Sequence, residues 1–502
     1  MGDTICWLLA ALPLLWALAA IGWRKMPAMK AALGCYALAA GLSLFLFHAS
    51  VSEVMHFTVH GVLLALVVVY VLVFGLLLHH VLEAGGSDRG AFHLDFPLRS
   101  DEVGAGAVVV GGVRPIFGGG QRLWTGRRHR RPVVCGAWIS STQGDDIALL
   151  TQSAVPWGAL AIGTVINAEL SGVPLHELGE YSPWLHIPLY LLYTFVVVVI
   201  SEGWRAVRLH LDGILIVFVS LASVTWAVSV YVSVELAGAA AGGAAALLLV
   251  GYWKCQALLG RRGTNEGEGR QPLGKALWPY VVLVGYIFVT HFFPSIRHIA
   301  TTVGVWQWPA YGFRLELLYS PGFALCLAAV VALKLYRLRM TEGMACIKKT
   351  LKQVFPAAMA TIGFIAMSSV MDGAGMTGVM AAQAAVWAGA AFLAVSPFVG
   401  ALGGWVSGSN SAANAMFSPF QRAMAEQLHE PTIWYAAAQN VAAAYMTMAS
   451  PARLALVAAT IGRSGGEGEA MRLVGPIVGA SLVIIVVGVL IGRPASDAGL
   501  PV

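Results

Sequence analysis

Charged residues are scarce in this sequence: Asp, Glu, Lys and Arg make up 11% of 502 residues, whereas 58% are hydrophobic. A soluble domain carries roughly 25% charged residues. The chain also lacks any polar stretch long enough to fold as a separate soluble domain. These shortages exclude a soluble protein and indicate one that crosses a lipid bilayer many times.

The sequence also lacks the motifs of several enzyme classes. It contains no Gly-x-x-x-x-Gly-Lys-Ser/Thr loop, so nucleotide hydrolysis is not expected. No apolar run carries His-Glu-x-x-His or Gly-x-Ser-x-Gly, which makes an intramembrane enzyme the less favoured class. The six cysteines show no paired spacing, and we expect no metal, disulfide or cofactor.

What the chain does contain is a series of apolar runs of spanning length. We predict an all-α polytopic membrane protein with about twelve or thirteen transmembrane helices, forming one transporter domain over residues 1–502. Broken or re-entrant elements should occur within it, in two inverted halves. Eleven clear runs lie near residues 4–23, 31–48, 58–80, 185–201, 212–231, 237–254, 277–293, 317–335, 354–371, 377–397 and 474–492, and two weaker ones near 149–167 and 434–461.

Charge in the connections predicts the orientation. Lys and Arg cluster at residues 24–30, 205–208, 261–275 and 334–352, which should face the cytoplasm under the positive-inside rule. The stretch 168–183 has three Glu and no Lys or Arg, so it reads as an outer loop. The modest excess of 31 basic over 25 acidic residues therefore reports orientation, and no nucleic-acid partner is expected.

The stretch from Gly403 to Gln421 is unusually polar for its place in the chain. It follows the apolar run 377–399 without a charged loop, so its polar groups lie at or near membrane depth. Irregular polar backbone is tolerated there only where protein or a wet cavity surrounds it. We predict a helix break at Gly408, with Asn410 and Asn414 one turn apart on one face of the next helix. Close packing of small residues is the alternative.

Family resemblance appears in the same stretch. Trp405-Val-Ser-Gly-Ser-Asn-Ser-Ala-Ala-Asn-Ala-Met-Phe417 resembles the Thr-Gly-Ser-(Asn or Asp)-Thr-Ser-Ser-Asn-Ala-Leu-Phe signature of the bacterial L-lactate permease family, and Gln421 falls where that family also has Gln. Upstream, Met371-Asp-Gly-Ala-Gly-Met376 resembles a span ending in Ser-Gly-Met. Downstream, Met446-Thr-Met-Ala-Ser-Pro451 resembles a Gly-Lys-Met-Ile-Ser-Pro element. The resemblance covers nearly the whole chain apart from one central stretch.

The resemblance implies a secondary transporter of the inner membrane that takes up L-lactate with cotransported protons. Its partners would be a small monocarboxylate, protons and the lipid bilayer; glycolate or another short 2-hydroxy acid is the alternative substrate. Thr447 stands where the family has Lys, and Arg453 is close enough to substitute for that cation. The expected substrate-binding residues are Ser407, Ser409, Asn410, Ser411, Asn414, Gln421, Thr447, Ser450 and Arg453.

Asp372 is the predicted proton-coupling residue. It interrupts the apolar run 355–399, where an unpartnered carboxyl pays a high cost to ionise. The alternative is a solvated carboxylate in a short outward-facing turn. The two predictions differ in whether the side chain is needed for coupling.

Residues 84–148 form an atypical segment. The family has here an element resembling Glu-(small)₃-Gly-(Phe or Tyr)-Gly, whereas Gly118 to Arg131 reads Gly-Gly-Gly-Gln-Arg-Leu-Trp-Thr-Gly-Arg-Arg-His-Arg-Arg. A one-base shift, with codons chosen within their degeneracy, turns Gly118 onward into Glu-Ala-Val-Ser-Gly-Tyr-Gly. We therefore expect two compensating frameshifts bounding roughly residues 86–148. A divergent cytoplasmic loop is the alternative.

Overall fold

Apolar runs form the helices of this protein because a helix satisfies its own backbone hydrogen bonds inside a bilayer. The computed structural model describes residues 3–85, 157–258, 273–455 and 467–497. The helices in these ranges are α1 (Asp3–Leu18), α2 (Ala28–Phe45), α3 (Val51–Ala84), α4 (Gly158–Ser171), α5 (Leu175–Glu202), α6 (Trp204–Leu209), α7 (Leu211–Tyr231), α8 (Val234–Leu258), α9 (Leu273–Phe292), α10 (Pro294–Thr302), α11 (Pro321–Leu335), α12 (Met340–Gly373), α13 (Met376–Ala388), α14 (Phe392–Ser407), α15 (Asn410–Leu428), α16 (Thr432–Met446) and α17 (Glu467–Asp497).

The prediction of an all-α polytopic membrane protein is confirmed. Among the described residues, eight helical segments are long and apolar enough to cross a membrane. The pair α9 and α10, bent by 98°, makes a ninth candidate, and three shorter apolar helices lie at Leu160–Ser171, Val234–Leu249 and Pro321–Leu335. Short apolar helices beside full spans are what broken elements produce.

Within the described ranges, a small β-hairpin interrupts the helices. Strands β1 (Val305–Trp308) and β2 (Phe313–Glu316) pair antiparallel, with Val305 opposite Glu316 and Trp308 opposite Phe313. The hairpin follows α10 and precedes α11. The hairpin is not predicted from the sequence, because two four-residue strands are too short to show a clear alternating pattern.

Two predicted loops are largely helical. The stretch 168–183 is divided between the end of α4 and the start of α5, with only residues 172–174 connecting them. Likewise α12 begins at Met340, inside the basic stretch 334–352. Charged residues suggest a loop, but a helix can continue past the apolar region and carry charge at its end.

Helices α3 and α12 form the central antiparallel pair. Each has 34 residues. Glu83 near the end of α3 pairs with Lys349 near the start of α12, while Gly61 packs on Ala366 near the other ends. Helix α2 packs on α12 and α11 packs on α3. Each of the two long helices thus packs on the helix that precedes the other one, which is the arrangement that two inverted halves would give.

Two sequence predictions fall on chain that the structure does not describe. The atypical segment 84–148 lies outside the described residues from residue 86 onward. The first part of the weaker apolar run near residues 149–167 also lies outside them. The described chain resumes at Trp157, immediately before α4.

Candidate functional site

The predicted break at Gly408 is present. Helix α14 ends at Ser407, and Gly408 has φ 63° and ψ 17°, a left-handed conformation that glycine adopts without steric cost. Ser409 then caps α15, and its hydroxyl accepts a hydrogen bond from the Ala412 N–H at 3.3 Å. Ser407 Oγ lies 2.7 Å from the Gly403 carbonyl oxygen and donates within α14.

A second break lies against the first. Helix α16 ends in a 3₁₀ turn over Thr447–Ala449, Ser450 is extended, and a helix resumes at Pro451. Arg453 Nε donates to the Gly408 carbonyl oxygen at 2.7 Å, so the two breaks are joined by a hydrogen bond. A Cβ at Gly408 would lie 2.8 Å from the buried Ser450 hydroxyl.

Two glycines let α14 and α16 approach closely. A Cβ on Gly400 would lie 2.7 Å from the Gln439 carbonyl oxygen, and one on Gly404 would overlap the Ala443 carbonyl oxygen. Small residues four apart permit this kind of backbone contact between membrane helices. The amide side chains of α16 are thereby held against those of α15.

Asn410, Asn414 and Asn440 form the centre of a buried amide cluster. The Oδ1 of Asn440 on α16 accepts from Asn410 Nδ2 at 3.0 Å and from Asn414 Nδ2 at 2.9 Å. Asn440 Nδ2 donates to Thr164 Oγ1 at 3.0 Å, and Asn414 Nδ2 donates to the Gly163 carbonyl oxygen at 2.9 Å. Helices α4, α15 and α16 therefore meet at these side chains.

Gln421 and Gln439 extend the cluster toward α14. Gln421 Nε2 donates to the Ser396 carbonyl oxygen at 3.0 Å and to Gln439 Oε1 at 3.1 Å. The Ser396 hydroxyl donates to Gln421 Oε1 at 2.9 Å. The exposed fraction of Asn410 is 5%, and it is 0% for Asn414, Gln421, Gln439 and Asn440. The amides thus satisfy one another in a closed cluster, and they do not line an open cavity in this conformation.

The remaining predicted residues divide between the two breaks. Ser411 is half-buried in the first turn of α15, and Thr447 is buried with its hydroxyl donating to the Ala444 carbonyl oxygen at 2.7 Å. The structure therefore gathers Asn410, Asn414 and Gln421 in the amide cluster. It places Ser407, Ser409, Ser450 and Arg453 around the joined breaks.

Asp372 lies apart from the amide cluster, in the last turn of α12. Its carboxylate forms an ion pair with Arg422 of α15 at 2.5 Å and accepts from the Thr377 hydroxyl at 2.9 Å. About 30% of its side chain is exposed. The residue is therefore neither unpartnered nor merely solvated, and its coupling role stays a prediction.

Sequence reasoning missed Gln439, Asn440 and Thr164 of the cluster, and also Asn167, which lies beside the cluster and is not part of it. Gln439 and Asn440 are adjacent amides within an alanine-rich helix, a signal that could have been found. Thr164 and Asn167 of α4 could not be paired with α16 from the sequence, because more than 260 residues separate the partners. Asn167 Nδ2 donates to the Ala436 carbonyl oxygen at 3.0 Å.

Comparison with known proteins finds one matching family. The profile of the family described as L-lactate permease matches residues 145–312 and 307–492, more than half of the chain. The first match begins beside the end of the atypical segment.

Individual relatives are distant. L-lactate permease of Escherichia coli (strain K12) is 20% identical over 367 residues, which cover 64% of this chain and 66% of the relative. L-lactate permease of Bacillus subtilis (strain 168) is 23% identical over 399 residues, covering 68% and 69%. Glycolate permease GlcA of E. coli (strain K12) is 27% identical over 160 residues, covering 32% and 28%. The chain thus spans just under two thirds of the E. coli L-lactate permease.

Proposed function

Because the chain belongs to the L-lactate permease family, we propose that it is a secondary transporter that takes up L-lactate together with protons. It is a multi-pass membrane protein of the cytoplasmic membrane. Membership of a permease family also argues against the intramembrane enzyme that the sequence analysis considered. L-lactate itself and the coupling to protons are the parts proposed here.

The observation that supports this function best is the buried amide cluster beside two joined helix breaks. A 2-hydroxy acid offers a carboxylate that accepts hydrogen bonds and a hydroxyl that also donates one. Amide side chains supply both donors and acceptors without a formal charge. Substrate would replace amide–amide bonds by amide–substrate bonds, so few buried polar groups need be left unpaired in either state.

The positive charge of Arg453 supports the same proposal. The residue sits at the joined breaks, where its Nε bonds the Gly408 carbonyl. The family Lys expected at position 447 is absent, and the buried Thr447 hydroxyl is engaged with Ala444. Arg453 is therefore the residue we propose to compensate for the charge of the substrate carboxylate.

Protons are the proposed coupling ion for an electrostatic reason. Moving one anion inward against a negative interior costs roughly 2.3 kcal/mol per 100 mV. One proton carried with each monocarboxylate removes that cost. An inward proton gradient then drives accumulation.

Uptake of labelled L-lactate into proteoliposomes tests the function. We expect accumulation above equilibrium with an inward proton gradient, none after the gradient is collapsed, and competition by unlabelled L-lactate. Uptake that never exceeds equilibrium would contradict a coupled transporter.

Glycolate is the second candidate substrate, because one of the relatives is a glycolate permease. Glycolate lacks only the methyl group of lactate, and such a difference in a pocket is worth about 1–3 kcal/mol. Competition by glycolate, D-lactate and acetate in the same assay separates the substrates. Stronger competition by glycolate than by L-lactate would make glycolate the substrate.

The coupling role of Asp372 has a direct test. If Asp372 carries the proton, Asp372→Asn should abolish the response of uptake to an imposed pH gradient, while exchange of lactate across the membrane persists. The measurement is gradient-driven uptake beside counterflow of labelled lactate. An unaltered response would leave the Asp372–Arg422 pair with a structural role.

The atypical segment has its own test. We expect resequencing of the gene to reveal two compensating frame changes bounding roughly residues 86–148, and a corrected chain to take up lactate faster than the chain as written. Both versions are assayed at equal amounts in proteoliposomes. An error-free frame encoding Gly118 to Arg131 as given would rule out a sequencing error, and robust uptake by that chain would show that the segment is compatible with transport.

A further inference from the structure

We propose that His186 of α5 binds the cotransported proton on its Nε2 atom and then faces the substrate carboxylate, an assignment that rests on the proposed function. His186 belongs to no motif recognised in the sequence. Its place in the fold, its ring orientation and its surroundings carry the assignment.

His186 lies at the middle of a membrane span. It is the twelfth of the 26 residues of the span Leu175–Ile200, and its exposed fraction is 0%. The apolar run near residues 185–201 predicts a span that begins close to residue 185, which would put the imidazole at the membrane surface. An ionisable side chain at mid-span is costly to keep and is commonly a transport or proton-relay group.

The hydrogen bonding fixes which ring nitrogen can take a proton. His186 Nδ1 lies 2.9 Å from the Ser182 carbonyl oxygen. A carbonyl oxygen can only accept, so Nδ1 carries the hydrogen and Nε2 of the neutral ring is a free lone pair. Nε2 is buried and has no hydrogen-bond partner among the described residues.

Aromatic groups surround the ring. The Trp157 ring lies 4.4 Å from it, edge to face, and the Tyr445 and Tyr190 rings lie at 5.3 and 5.8 Å. The Trp157 indole N–H and the Tyr445 hydroxyl are also buried without a hydrogen-bond partner in the described chain. The box formed by His186, Trp157, Tyr190 and Tyr445 thus contains two unused donors and one unused acceptor, a set of groups that suits a small anion beside a protonated imidazole.

The titratable groups around the box are tyrosines. Tyr445 faces the ring from α16, and Tyr190 lies on α5 itself with its hydroxyl 3.3 Å from Thr225 of α7. Tyr193, also on α5, packs on Tyr445 at 5.1 Å, and its hydroxyl accepts from Ser481 of α17. Trp157, preceding α4, does not titrate. Neutral tyrosines cannot balance an imidazolium, so its counter-charge must come with the substrate.

The box and the amide cluster share the same two helices. Along α16, Ala436 meets Asn167, Asn440 meets Thr164, and Tyr445 meets His186. These contacts run along α4 from Asn167 toward its first residue, and Trp157 lies just before that residue. A substrate held at the amides is therefore one to two helical turns from His186.

Coupling follows from the energetics of burial. An imidazolium in this box is unfavourable alone, and a substrate carboxylate that has Arg453 as its cation still gains from a second positive charge. Together they compensate each other, so each raises the affinity for the other by the same factor. One proton per monocarboxylate is the resulting stoichiometry. Asp372 is less suited to this role, because Arg422 already balances its charge.

The test compares His186→Gln with His176→Gln, an exposed histidine on the same helix, and with Asp372→Asn. Each protein is reconstituted and assayed for lactate counterflow, for uptake driven by a pH gradient, and for lactate-induced proton movement with a trapped pH dye. We expect His186→Gln to keep counterflow and lose both proton-dependent readouts. His176→Gln should keep all three, whereas Asp372→Asn tests the competing assignment of the proton to Asp372.

Each remaining outcome is decisive. If lactate uptake is coupled to protons equally in the wild type and in His186→Gln, this inference is overturned and the proposed function stands. If Asp372→Asn is the only variant that loses coupling, the proton is assigned to Asp372. A wild type that takes up lactate without moving protons overturns the inference and the proposed symport. Should His186→Gln and His186→Asn both fail to insert while His176→Gln inserts, the residue is structural and the inference is wrong.

Discussion

Replacing Asn440 with alanine is expected to abolish L-lactate uptake while the protein still inserts into the membrane. The Oδ1 of Asn440 is the shared acceptor for Asn410 and Asn414, and its Nδ2 holds Thr164 of α4. Removing it takes one hydrogen bond from each of three partners; Asn414 keeps its bond to the Gly163 carbonyl oxygen, whereas Asn410 Nδ2 loses its acceptor on α16. An unsatisfied buried group costs about 1–3 kcal/mol. The cluster would lose the geometry that we propose binds substrate.

Asn410→Ala and Asn414→Ala should also reduce uptake, since each removes one of the two amide donors to Asn440 Oδ1. The measurement is gradient-driven uptake of labelled L-lactate, normalised to inserted protein. Asn167→Ala is the matched control: Asn167 is equally buried and also joins α4 to α16, but its amide donates to the backbone of Ala436. Normal uptake by both Asn410→Ala and Asn414→Ala, or uptake lost equally in Asn167→Ala, would contradict the assignment.

The local features of the cluster could be predicted from the sequence. Gly408 between two serines marks a helix break, and a spacing of four places Asn410 and Asn414 on one face; both features are present. Such predictions need only the conformational freedom of glycine and the helical period. They do not say which residues pack against this face of α15.

The partners of that face could not be predicted, because they come from distant parts of the chain. Gly163 accepts from Asn414 across 251 positions, and a Cβ there would lie 2.5 Å from Asn410 Nδ2. No local pattern encodes this meeting. His186 was missed for a different reason: Glu177, Glu180 and Pro183 made the first half of its span look like a loop, although α5 runs through them.

Replacing Gly404 with alanine is expected to destabilise the protein and to stop transport as well. The added Cβ would overlap the Ala443 carbonyl oxygen, a backbone atom that cannot rotate away. Overpacking of this kind costs typically 1–3 kcal/mol, and the displaced segment here is the last turn of α16. That turn lies between Asn440 and the break at Thr447–Ala449, so moving it disturbs both the cluster and the Arg453 bond.

Thermal unfolding in detergent, followed by the loss of monodisperse protein, measures the first effect, and lactate uptake measures the second. Gly479→Ala in α17 is the control, because a Cβ at that glycine meets nothing within 4 Å. There the substitution should be neutral or stabilising, by up to about 1 kcal/mol, since alanine is the better helix former. Equal unfolding temperatures for Gly404→Ala and Gly479→Ala would mean that α16 can shift without cost, and that its contact with α14 does not fix the position of the amide cluster.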